Sequence, residues 1–226
     1  MRVSYALLQT TLIPPPLAAL ERAFATGRGL TPADARFVAD DAFGMLARNL
    51  SESDALFLQG TLTTEGIEVM VVPENDLPRL PDARIFRRAE CNDDALVIYD
   101  ALDRPTTIPW ASLRLIATGF DQKAIKLELI IGDAEEMLTT SIDKLHFNRM
   151  PQYHDPRDPK NIGASFVYFV RDLESHAPNA LRNRAANFLT KSEIEGDITE
   201  GITYPRPGAY LEEMIWLLWR ARQGGS

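Results

Sequence analysis

Leu30-Thr31-Pro32-Ala33-Asp34-Ala35-Arg36-Phe37 recurs, 20 residues on, as Leu50-Ser51-Glu52-Ser53-Asp54-Ala55-Leu56-Phe57. Each copy opens on a hydroxyl residue at a helix N-cap position and carries Asp three residues later. This is a variant of the capping box, in which side chains satisfy backbone N–H groups that a helix start leaves unpaired. A short apolar run follows each helix: Gly44-Met45-Leu46-Ala47 after the first and Ile67-Glu68-Val69-Met70-Val71-Val72 after the second. The N-terminal third therefore reads as small α/β units laid side by side.

Upstream, residues 3–9 form a strand, and Pro14-Pro15-Pro16 opens a helix whose Leu17, Leu20, Ala23 and Phe24 share one face. The expected order is strand, helix, short helix, strand, helix, strand. Residues 46–72 make a βαβ unit of minimal size. A three-stranded sheet with helices packed on it, in a ferredoxin-like arrangement, is the economical solution.

Three prolines between residues 73 and 81 then break regular structure and read as a stiff linker. This divides the chain into an N-terminal α/β module, residues 1–76, and a second module, residues 83–226. In the second module residues 84–90, 95–100, 106–110, 113–118, 123–131 and 136–142 are strand candidates. Asn92-Asp93-Asp94 is the turn between the first two. In residues 123–131, Ile125, Leu127 and Leu129 point one way, and Lys126 and Glu128 the other. Closely spaced strands of this kind imply an antiparallel barrel or sandwich. The end is helical. Ile162, Phe166, Phe169, Val170 and Leu173 make an apolar stripe over residues 161–176, and further helices cover residues 179–190 and 207–222. The fold class is α+β.

Composition limits the function. The 226 residues are 45% hydrophobic and 25% charged, enough for a sizeable core. The formal net charge of −8 and pI near 5.0 argue against a general nucleic-acid binder, which needs cations to neutralise phosphates. Cys91, alone of its kind, excludes an internal disulfide framework and a cysteine-based zinc site. The N-terminal apolar run breaks at Gln9-Thr10-Thr11 and no small-residue cleavage site follows. The longest apolar run, Met214-Ile215-Trp216-Leu217-Leu218-Trp219, falls far short of the about 20 residues that a bilayer requires. These features predict a cytoplasmic protein with no membrane span.

Ile108-Pro109-Trp110-Ala111-Ser112-Leu113-Arg114-Leu115-Ile116, followed by the helix over residues 161–176, resembles a bacterial pleckstrin-homology-like (PH-like) barrel. In such barrels a strand enters through Ile-Pro-aromatic and one helix plugs an open end. The resemblance covers residues 84–176. It implies binding of phosphoinositides, peptides or partner domains rather than catalysis. Lipid-binding members carry basic residues in the first hairpin, where this chain has Asn92-Asp93-Asp94. The whole chain also resembles conserved bacterial proteins of unknown function, a resemblance that brings no activity with it.

Several residues are candidates for chemistry. His146, His154, Asp155 and Asp158 have the donor types of a zinc or iron site, at a spacing that matches no recognised ligand pattern and within a segment of loop composition. Ser175 and His176 with Asp172 invite a nucleophilic triad, but neighbours on a helix do not face one another, and His176 reads as a C-terminal cap. Carboxylates near Cys91 would raise its thiol pKa, so it reads as passive. Arg79, Arg84, Arg87 and Arg88 form the densest basic patch, a solvated strand edge or a contact for an acidic partner. Trp216 and Trp219 lie on one face of a helix apolar over more than half its circumference. Packing within the chain is the first expectation for that face and a homodimer contact the second.

The resulting expectation is a non-enzymatic module for protein interaction or ligand sensing, without a cofactor. Its ligand- or partner-binding candidates are Arg84, Arg87, Arg88, Trp110, Trp216 and Trp219, and its partner is another protein or a second copy. Two alternatives stand beside it. One is an enzyme with a site between the modules, built from His146, His154 and Asp155 with Arg87 or Arg88 holding an anionic substrate. The other is a membrane-surface adaptor acting through the PH-like barrel.

Overall fold

The computed structural model describes residues 3–26, 31–41, 43–120, 123–154, 158, 160–191 and 198–224. Through the first linker the elements are β1 (Tyr5–Gln9), α1 (Leu17–Thr26), α2 (Pro32–Asp41), β2 (Met45–Leu50), α3 (Glu52–Thr64) and β3 (Val69–Pro73). The strands β4 (Ala83–Ile85), β5 (Arg88–Cys91), β6 (Ala95–Tyr99), β7 (Pro105–Pro109), β8 (Leu113–Phe120), β9 (Ile125–Ile131) and β10 (Glu136–Ser141) follow. The chain ends with α4 (Ile162–His176), β11 (Leu181–Arg182), α5 (Arg184–Lys191), α6 (Thr199–Ile202) and α7 (Pro207–Gly224). Two compact units result: Met1–Pro78 together with Pro205–Ser226, and Arg79–Tyr204. The sequence places α7 in the second module; by packing it groups with the first unit. Among the described residues no helix is long and apolar enough to cross a membrane.

Each capping repeat forms a different half of the box. Thr31 donates from both its N–H and its hydroxyl to Asp34 Oδ2, each at 2.7 Å. Ser51 donates to Asp54 Oδ2 at 2.6 Å, and Asp54 N–H returns a bond to Ser51 Oγ at 3.2 Å. The Thr31 hydroxyl, then its N–H, hold the Asp34 carboxyl below the usual carboxylate range.

In the first unit the sheet order is β2-β1-β3, with β1 antiparallel to both neighbours. The β2-α3-β3 crossover therefore joins two parallel strands that are separated by β1, rather than adjacent ones. Alternation along β1 sends Leu7 to one face, where it packs with Leu20 and Phe24 of α1, Ala35 of α2, and Leu58 and Leu62 of α3. Ala6 and Leu8 go to the other face and meet Trp216 and Trp219 of α7, with Met45, Val72 and Leu77. The unit has three layers: helices α1 to α3, the sheet, and α7.

Trp216 fixes the third layer. Its Nε1–H donates to Gln9 O at 2.8 Å. Its ring lies against Gly44, where a Cβ would come within 2.4 Å of Trp216 Cγ and where φ is +96°. Gln9 in turn takes the Gly44 N–H on Oε1 at 2.8 Å and donates from Nε2 to Ile13 O at 3.0 Å.

The second unit holds a five-stranded sheet, β11-β8-β9-β10-β4, and a three-stranded antiparallel sheet, β5-β6-β7. No barrel closes among the described residues. The expected single strand over residues 84–90 is two strands. It leaves β10 after Phe86 N–H donates to Thr139 O at 3.1 Å, and joins β6 where Arg87 N–H donates to Tyr99 O at 2.8 Å. Strand β9 departs from its expected alternation, because both faces are covered: Leu127, Leu129 and Ile130 are fully buried, and Glu128 is 6% exposed, accepting the Thr139 hydroxyl at 3.0 Å.

The helix expected over residues 179–190 begins only at Arg184, because Leu181 and Arg182 first pair in parallel with Leu115 and Ile116. Fully buried Asn183 continues that pairing with its side chain. Its Oδ1 accepts Thr118 N–H at 3.1 Å and caps α5 through Ala186 N–H at 3.0 Å. Its Nδ2 donates to Thr118 O at 2.7 Å and to Tyr204 Oη at 2.9 Å.

Two outcomes test this account. In denaturant unfolding, Gly44→Ala should cost about 3 kcal/mol, through the clash and the positive φ, and Trp216→Phe about 1 kcal/mol, through loss of the Gln9 bond. Because the folded Asp34 pKa is depressed, its contribution is present above the ordinary carboxylate pKa of about 4 and is lost as pH falls through the folded value. Asp34→Asn should therefore remove part of the acid-induced loss of helix signal seen by circular dichroism.

Candidate functional site

The second unit disperses the residues that the sequence marks for chemistry. The bend at Phe86 and Arg87 puts Arg84 and Arg88 in different sheets, and a carboxylate engages each. Arg84 pairs with Glu136 at 2.6 Å and donates to Thr106 Oγ1 at 3.1 Å. Arg88 pairs with Glu90 and lies 3.4 Å over the centre of the Tyr99 ring, whose hydroxyl donates to Glu90 Oε2 at 2.9 Å. The Arg87 carbonyl accepts His146 N–H at 2.8 Å. His146 is exposed, and His154 Nε2 lies 2.8 Å from Phe147 O. Asp155 lies outside the described residues, while Asp158 Oδ1 accepts Lys160 N–H at 3.2 Å. Among the described residues no group of three His, Cys, Asp or Glu could hold a metal ion.

A polar chain does form around α4. Tyr153 donates to Asp172 Oδ2 at 2.6 Å. His176 Nδ1 lies 3.3 Å from Asp172 Oδ1 and 3.0 Å from the Asp172 carbonyl, the last-turn acceptor expected of a cap. The His176 ring stacks on Trp110, with centroids 4.8 Å apart, and Trp110 Nε1–H donates to Asn92 O at 2.8 Å. Cys91 neighbours Tyr153 and Asp172 at the end of this polar chain. Burial, then the Asp172 charge, push its thiol from 9.0 to about 12. The sequence reading expected the same direction from Asn92-Asp93-Asp94; the structure assigns it to desolvation and to a carboxylate on α4. Burial also pushes the Tyr153 phenol up. Cys91 and Tyr153 keep their protons at neutral pH, and the chain pins α4 to β5 and to the turn after β7. Contrary to the expectation that helix neighbours do not meet, Ser175 Oγ lies 3.3 Å from His176 Nδ1, because both side chains fold back over the last turn of α4 toward the Asp172 carbonyl.

The first unit carries a pair of adjacent exposed apolar side chains on α3. In α3 the consecutive apolar residues Ala55-Leu56-Phe57-Leu58 advance by about 100° each, so they cannot all face the sheet. Ala55, Leu58 and Leu62 are fully buried, while Leu56 is 53% and Phe57 50% exposed. These two line a shallow trough of about 480 Å³ with Gly60 and Thr64 of α3 and Arg22 and Thr26 of α1. Its threonines turn their hydroxyls inward: Thr61 donates to Phe57 O at 3.0 Å, Thr64 to Gly60 O at 2.9 Å, and Thr26 to Ala23 O at 2.9 Å. The methyl groups are left to face outward, so a stretch that reads as polar presents an apolar floor.

Gly60 lies inside α3, where glycine costs about 1 kcal/mol against alanine. A Cβ there would meet nothing within 4 Å among the described residues, so packing within the unit does not require it. Phe37, the counterpart of Phe57 in the repeat, is 72% exposed on α2, whereas Ala35 and Ala55 are both fully buried. The repeat thus places one small residue inward and one aromatic outward in each copy.

Sequence reading passed over Leu56 and Phe57. The available signal was the unbroken apolar run, which wraps α3 further round than one core face requires. Trp216 and Trp219, for which packing within the chain is the first expectation and a partner contact the second, are buried within the first unit.

The Cys91 thiol should resist iodoacetamide at pH 7.5 in the folded protein and react once the chain is unfolded in urea, as read by intact mass. Its raised pKa also predicts a stability contribution that is intact below about pH 8.5 and declines as pH rises toward 12, with Cys91→Ser removing that decline.

No family model, curated protein or solved structure matches the chain.

Proposed function

We propose that this protein is a non-enzymatic interaction module that docks a partner protein through the α1–α3 face of its first unit. The observation that carries the reading is the pair of half-exposed side chains, Leu56 and Phe57, over a trough whose threonine hydroxyls are occupied by their own helix. Contiguous exposed apolar surface of this kind marks interaction sites on stable proteins. Covering both residues would gain on the order of 1.5 kcal/mol each or more. We read the first unit as a reduced ferredoxin-like sheet, on the strength of the β2-α3-β3 crossover spanning β1. We read the second as an open PH-like barrel, because one bent strand serves both of its sheets and α4 buries an apolar stripe beside β5. Of the enzyme alternative, Arg88 and His154 are engaged by groups of the chain itself, and the membrane-adaptor alternative meets the acidic hairpin Asn92-Asp93-Asp94.

A photoreactive p-benzoylphenylalanine in place of Phe57 should give a discrete protein adduct in the cells that make the protein. The same group at exposed Thr63, on another side of α3, should give much less. Equal labelling from both positions, or none from position 57, would reject docking through this face.

A further inference from the structure

We infer that the occupant of the α1–α3 trough is a basic amphipathic helix that crosses α3 at Gly60. The inference rests on the docking reading above and adds the shape and charge of the partner. The shape follows from hydrogen bonding. The floor offers Leu56, Phe57 and threonine methyl groups, and the nearby hydroxyls already serve α3 and α1. A strand or loop laid on this floor would bury backbone N–H and C=O groups without partners, which is costly. A helix brings its backbone already satisfied. Gly60 supplies the entry point. Leu56, Gly60 and Thr64 follow one another at four-residue spacing, so the missing side chain leaves a notch in one ridge of α3, and a ridge of a second helix fits such a notch. Nothing among the described residues fills it, which leaves it open to a partner.

The charge follows from the rim. Glu52 precedes Leu56 by one turn, and Glu65 closes the far end. Arg22, which faces the trough from α1, is held by Glu65 at 2.7 Å. The net charge of −8 makes a second copy repel the first and a cationic segment approach faster. A lysine-bearing helix meets an exposed acid, Glu52, at one end of its apolar contact, and at the other it shares Glu65 with Arg22.

The test uses the full chain and a fluorescein-labelled helical peptide of about 18 residues. The peptide consists of leucine, alanine and lysine, with alanine at the crossing point. Binding is read by fluorescence anisotropy. The expected result is micromolar binding that falls at least about tenfold for Gly60→Leu and for Leu56→Ser/Phe57→Ser, and that weakens with added salt. Gly60→Ala should raise the melting temperature while weakening binding, a combination that a purely internal role for Gly60 would not give. Equal binding by a peptide with glutamate in place of lysine, or by one of scrambled order, overturns the inference, as does unchanged binding by Gly60→Leu. A dimer in sedimentation that Gly60→Leu abolishes overturns it in favour of a second copy. If the Phe57 cross-link forms and the basic peptide fails, the docking reading stands and the basic helix falls. If the cross-link fails as well, both fall.

Discussion

The indole of Trp216, seated on Gly44 and hydrogen-bonded to Gln9 O, holds the first unit together. It closes the second face of a three-stranded sheet whose first face is covered by α1, α2 and α3. Without α7, Ala6, Leu8, Met45 and Val72 would stand open to water. Residues far apart along the chain thus complete one core, and Arg79–Tyr204 becomes an insertion between β3 and α7. Gly44 is indispensable for two reasons at once. Its φ lies where L-residues are strained, and its missing side chain is the space the ring occupies.

The second unit uses its polar groups to seal backbone and to pin helices. Asn183 stands in for the next residue of a strand, pairing with both the N–H and the C=O of Thr118 while capping α5 and meeting Tyr204. A buried amide satisfied on all sides in this way specifies one register, because a shift of β11 along β8 would strand its donors and acceptor. Cys91, Tyr153, Asp172 and His176 likewise tie α4 to the sheet and keep their reactive forms suppressed where burial sets the pKa.

The first unit shows the reverse. Helix α3 has more apolar surface than the sheet can cover, a glycine with no neighbour to accommodate, and threonines whose hydroxyls are turned inward. Each of these weakens or exposes the helix in isolation. These features gather on the face of the proposed docking site, and sequences that break a local rule without internal gain do so most often at functional sites.

The sequence by itself determined the locally encoded features. The caps at Thr31 and Ser51 act within three residues of the helix start, so their pattern is visible in the chain. The apolar stripe of α4, the prolines around residue 78 and the turn at Asn92-Asp93-Asp94 are legible for the same reason. Tertiary structure alone decided which neighbours cover each face. The alternation in β9 predicted one wet side, but neighbouring elements bury both, and Glu128 goes inside. The run over residues 84–90 reads as one strand, yet it serves two sheets, because a bend costs little where each half finds its own hydrogen-bonding partner. The apolar α7 announced that it must be buried but not against what, since hydrophobic attraction has no direction and Gly44 becomes a seat for Trp216 only once the chain has brought them together. For the same reason Leu56 and Phe57 could be told from Ala55 and Leu58 only after the sheet had taken its share of α3.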